Sequence, residues 1–122
     1  MFLTVRDLEV GKKVLKECPL AHRWRLVHKL VLYAAMRGVE DARLVGGLFS
    51  HATATGICSG ETYESGFSPV IDELDVLSLH IPVASTLIAM MLKGAQLDSV
   101  RLERLASRSV GDDKELLLGL LL

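Results

Sequence analysis

The chain has 122 residues, of which half are apolar and 24% charged, and its net charge is −1. That length fits one domain with its own core, and that balance excludes a disordered polymer and a miniprotein held together by disulfides. Leu, Ala and Met number 37 against 16 Val and Ile, which favours helix because unbranched side chains lose little rotamer freedom there.

Thr4 followed by Asp7 is an N-cap pattern, and Val5, Leu8, Val14 and Leu15 make one apolar stripe. A first helix is therefore expected over 4–17. Pro19 suits the first position of a second helix, which runs to Arg37 and stops at Gly38. Its stretch from Leu26 to Met36 is apolar nearly all round, as a central buried helix is. Glu40 and Asp41 open a third helix at its electropositive end, and it continues to near Gly56. Gly46 and Gly47 in its middle cost about 1 kcal/mol each relative to Ala unless a neighbouring backbone packs there. A fourth helix starts near Ser59 and carries Tyr63, Phe67, Ile71 and Leu74, with Pro69 expected to kink or break it. Residues 77–82 are expected as an extended connector, because Pro82 biases Ile81 away from helix. A fifth helix covers 83–93 and stops at Gly94. A sixth runs from Asp98 or Ser99 to about Ser107, and a seventh from Asp112 through the terminal leucines. The expected fold is all-α: about seven helices with short connections, stacked as antiparallel pairs in one domain over 1–122. Because the chain ends in an apolar run, either the last helix packs onto the core or the chain is cut from a longer protein.

The N-terminus carries Arg6, Asp7 and Glu9 where a secretory signal needs an apolar run. Residues 76–92 are uncharged but include Ser78, His80, Pro82, Ser85 and Thr86, and fall short of the roughly 20 residues of a membrane span. Cys18 and Cys58 each lack a neighbour at ligand spacing, which points to structural thiols of an intracellular protein. His22 and His28 are six apart and do not share a helix face, while His51 and His80 stand alone, so no metal site is expected. The segment 56–60, Gly-Ile-Cys-Ser-Gly, matches a nucleophile elbow with Cys for Ser. The elbow needs a preceding strand, and the residues before Gly56 read as helix. Gly11-Lys12-Lys13 lacks the earlier Gly and the Ser/Thr of a phosphate-binding loop. Asp72, Glu73 and Asp75 lie close enough for acid–base work, but nothing in the sequence desolvates one of them selectively. No cofactor or small-molecule substrate is indicated, and the reading is a non-catalytic interaction domain.

Charge is unevenly spread. Residues 1–43 sum to +4. Residues 44–92 hold five acids and no Lys or Arg, which makes an acidic middle suited to basic partners. Arg23, Arg25 and Lys29 around Trp24 form a basic stretch with one aromatic, a second candidate surface, for RNA. The competing reading is a helix whose Trp24 turns inward while the cations stay wet.

The stretch 66–82 reads Gly-Phe-Ser-Pro-Val-Ile-Asp-Glu-Leu-Asp-Val-Leu-Ser-Leu-His-Ile-Pro. With the helix at 84–92 and the small connector 93–95, it resembles the signature of the MA-3 domain family. Residues 26–35 and 39–49 are similar to that family's second and third helices, and 4–17 to its first. The resemblance spans about residues 3–110 and is specific between 66 and 94. It implies a right-handed, HEAT-like stack of antiparallel helix pairs. It also implies a protein-binding module in translation initiation or its regulation, in the cytoplasm, or in the nucleus for splicing and nucleolar members. Members occur in the initiation factor 4G scaffold and the programmed-cell-death-4 translation inhibitor. The implied partner is a DEAD-box helicase such as initiation factor 4A or another translation factor. The implied contact surface is Asp72, Glu73, Asp75, Val76, His80 and Pro82. In helicase-binding members an acid stands two residues before the proline and another six before it. Here those positions hold His80 and Val76, and the nearest acid is Asp75. A neutral imidazole cannot replace a carboxylate facing Lys or Arg. The same resemblance therefore carries an alternative: a diverged MA-3 scaffold that has left the helicase for another partner or for self-association.

Overall fold

Helix ends in this chain are set by a few side chains that satisfy backbone groups the helix leaves open. The Ser59 hydroxyl accepts the Thr62 N–H at 3.2 Å, and the Asp98 carboxylate accepts the Arg101 N–H at 2.8 Å. Gly38 ends another helix with φ +122, its N–H donating back to the Ala34 carbonyl. The computed structural model describes residues 8–109 and 112–121. They form α1 (Leu8–Glu17), a short 3-10 turn (Leu20–His22), α2 (Arg23–Arg37), α3 (Val39–Ala54) and α4 (Gly60–Asp72). Then follow α5 (Leu74–His80), α6 (Ala84–Ala95), α7 (Ser99–Ala106) and α8 (Asp112–Leu121). No strand occurs among the described residues. The Thr4 cap lies outside them.

Eight α-helices are described where about seven were expected, and the additional one is α5. Residues 77–80 are helical, not extended. Proline restricts only the residue before it, and Ile81 alone takes the extended conformation (φ −128, ψ 93). The break expected at Pro69 comes one turn late. Proline lacks an N–H and crowds the carbonyl four residues back, yet the residues after it complete the turn, and α4 stops at Asp72. Ser68 donates its hydroxyl to the Glu64 carbonyl beside that gap. Pro19 begins a 3-10 turn, and α2 starts only at Arg23. Gly94 does not stop α6. The stop is Gln96 in the left-handed conformation (φ 58, ψ 42).

Consecutive helices alternate between two rows. In one row α3 packs against α1 and α6, and α8 packs against α6. In the other α4 packs against α2 and α7. The rows meet through α2, which touches α3 and α6, and through α7 against α8, while α5 leans on α4 and α6. Glycine makes the two main seams. A Cβ at Gly94 would lie 2.6 Å from Gly46 Cα, so α3 and α6 cross backbone to backbone. A Cβ at Gly66 would lie 2.6 Å from Val27 Cγ1 and 2.9 Å from the Trp24 carbonyl, where α4 crosses α2. The neighbouring backbone that would justify Gly46 in mid-helix is therefore present.

Phe49, Tyr63 and Phe67 form the aromatic centre of the core, edge to face at 5.3 and 5.9 Å between ring centroids. Tyr63 donates its buried hydroxyl to the Phe49 carbonyl at 2.8 Å, so no polar atom is stranded there. Leu117 of α8 is buried with them, so the last helix packs onto the core as one of the two expectations required.

Candidate functional site

The acidic segment falls on the corner from the end of α4 through α5 to Pro82. Asp72 ends α4, and its carboxylate takes two hydrogen bonds from Arg108, at 2.9 Å from Nε and 2.8 Å from Nη2. That paired hydrogen bonding raises the basicity of the guanidinium further. Glu73 links α4 to α5 and is exposed, as are Asp75 and Val76 in the first turn of α5. His80 closes α5, and Pro82 stands exposed beyond Ile81.

Three of the six named residues share one groove. Glu73, Val76 and His80 line a cavity of about 160 Å³ whose other walls are Leu77 of α5, Pro69 and Val70 of α4, and His28 and Leu32 of α2. Asp72, Asp75 and Pro82 are not among its lining residues. Burial lowers the pKa of His28, with Glu73 pulling it back up in part and Lys29 adding to the fall. His28, weighed in the sequence only as a metal ligand, and Leu32, read there as helix core, are brought to the candidate surface. They come from a helix some forty residues upstream, and only the α2–α4 seam brings them to α5.

Glu64, in the middle of the acidic stretch, is engaged as well. Arg104 of α7 reaches Glu64 Oε1 at 3.0 Å, and Arg101 binds the same oxygen. The acidic middle is thus partly neutralised by arginines of α7 and just beyond it. Its exposed acids are Glu61, Asp72, Glu73 and Asp75, of which Asp72 is held by Arg108.

The basic stretch is divided in its employment. Arg23 donates to three main-chain carbonyls, from Nε to Cys18 at 2.9 Å, from Nη2 to Lys16 at 3.0 Å, and from Nη1 to Ile57. Its guanidinium ties the end of α1 and the turn after α3 to the start of α2. Arg25 lies over the Trp24 ring, 5.5 Å from its centroid, and Trp24 is half-buried. Arg25 and Lys29 are exposed.

Cys58 of the elbow-like motif sits in the turn between α3 and α4, with helix on both sides. It is buried, and burial pushes its thiol above the usual range although Arg23 pulls the other way. No group of three metal-ligating side chains occurs among the described residues. Among them, no helix is long and apolar enough to cross a membrane. Set beside known protein families, curated proteins and solved structures, the chain matches none of them.

Proposed function

We propose that the chain is a non-catalytic protein-binding module with a HEAT-like stack of the MA-3 kind, acting in translation initiation or its regulation. Its docking face is the α4–α5 corner, and its partner is a DEAD-box helicase resembling initiation factor 4A or another translation factor. One observation carries this reading: Glu73 and Asp75 are exposed on the helical corner that follows the tight Gly66 crossing, the corner on which the family-like signature lies. The alternation of helices between two rows agrees with it. Calorimetric titration with initiation factor 4A at low and moderate salt tests it. Binding that weakens with added salt is expected, because exposed charges are screened. Absence of heat at both salt concentrations would sink the helicase reading.

A second reading has its own support. Val76 and His80 offer no carboxylate, and Asp72 already holds Arg108. A scaffold that has left the helicase would gain helicase binding from His80→Asp combined with Val76→Asp. Tight binding without those changes would exclude it.

A further inference from the structure

The groove between α2, α4 and α5 has the size and lining of a receptor for one side chain. Leu32, Pro69, Val70, Val76 and Leu77 give it apolar walls, and its volume is about 160 Å³. An apolar cavity of about 150 Å³ accommodates a benzene ring, so the space here suffices for one large side chain. Its polar groups are the imidazoles of His28 and His80 and the carboxylate of Glu73. Val76 is 53% exposed and Leu79 81%, three residues apart on α5, and Val83 beyond Pro82 is 52% exposed. Of these three, Val76 lines the groove itself.

Charge selects what would enter. Glu73 lines the groove and Asp75 is exposed outside its lining on α5; no Lys or Arg occurs between residues 44 and 92, Arg108 is bound to Asp72, and Lys29 follows the groove-lining His28 on α2. We infer that the groove is an anchor pocket for one large apolar side chain, Leu, Met or Phe, carried by a protein segment whose flanking residues are Lys or Arg. This rests on the reading of α5 as a docking face and adds to it: acids alone would steer a partner, whereas a filled pocket fixes register and slows release.

The test uses the folded chain and a display library of random twelve-residue peptides. Val76→Trp and His80→Trp each place a bulky ring at the groove mouth from an exposed position, and thermal melts check that both variants fold. Glu73→Lys with Asp75→Lys reverses the local charge. The expected result is enrichment of peptides with one Leu, Met or Phe flanked by Lys or Arg. The best of these, made synthetically, should bind each Trp variant and the charge-reversed variant at least about tenfold more weakly than the unmodified chain. Four outcomes would overturn the proposal: no enrichment, enrichment of acid-flanked peptides, binding indifferent to both Trp variants, or a dimer in sedimentation velocity that either Trp variant dissociates. The last would mean that a second copy of the chain covers the groove. Initiation factor 4A is titrated against the same variants. Helicase binding that survives both Trp changes but not charge reversal keeps the docking reading and removes the anchor. Peptide binding without helicase binding does the reverse.

Discussion

Arg23 shows how far a side chain's work can lie from its sequence context. Beside Trp24 and Arg25 it reads as part of a basic patch, yet its guanidinium is occupied by carbonyls at residues 16, 18 and 57. Nothing local in the sequence announces a partner 34 residues away. Lysine carries the charge but not the planar fork that reaches three acceptors. Arg23→Lys is expected to destabilise the fold by about 2 kcal/mol, read from denaturant unfolding. His28 offers a second check. Burial lowers its pKa in the folded state, so the unfolded chain binds the proton more readily. The resulting stability is fully present above the unfolded value of about 6.5 and is lost as pH falls through the lowered folded value. Unfolding free energy should therefore drop between pH 7.5 and 5.5, and His28→Gln should flatten that slope. An unchanged slope would remove His28 from the account. Cys58 follows the same logic: its buried, raised thiol should react with a thiol reagent far more slowly than Cys18, which is partly exposed.

At the level of elements, caps were the legible part. Gly38, Ser59 and Asp98 each end or begin a helix where their side chains or φ freedom require it. The misreadings came from treating a local breaker as longer in reach than it is. Pro82 straightens Ile81 and nothing earlier, which leaves room for α5, and Pro69 leaves three residues of helix after it. A glycine near a helix end usually marks its stop, which is what the sequence suggests at Gly94. Its absent side chain instead admits Gly46 of α3, a reason that exists only once two helices touch. The two glycines of this seam, and Gly47 outside it, separate the explanations. Gly94→Ala should cost about 2–3 kcal/mol, since backbone atoms cannot rotate out of the way. Gly46→Ala, whose Cβ would meet the Met90 carbonyl at 3.3 Å, should cost less. Gly47→Ala, with nothing within 4 Å, should stabilise α3 by about 0.5–1 kcal/mol. Thermal or denaturant midpoints of the three variants give the order directly.

For the whole molecule, the charge profile along the sequence exaggerates the charge profile in space. The middle third is acidic on paper, but Arg101, Arg104 and Arg108 return to it and cover Glu64 and Asp72. The candidate surface was legible as a segment, because Glu73, Val76 and His80 are close in sequence. The groove was not, because half its wall comes from α2 and α4. The Arg108–Asp72 pair is nearly half exposed on both sides. Arg108→Ala should accordingly shift stability by no more than about 1 kcal/mol while making the α4–α5 corner more acidic. A larger loss in the unfolding midpoint would mean that the pair holds α7 in place.

The reach of Arg23 also sets an order of events during synthesis. A ribosome delivers Arg23 and the carbonyls of Lys16 and Cys18 together, but the Ile57 carbonyl emerges 34 residues later. Until the turn after α3 has left the exit tunnel, the guanidinium lacks its third acceptor. The link from the start of α2 to the turn after α3 therefore closes only after α3 has been made. A nascent chain halted before residue 57 would carry α1 untethered from that turn.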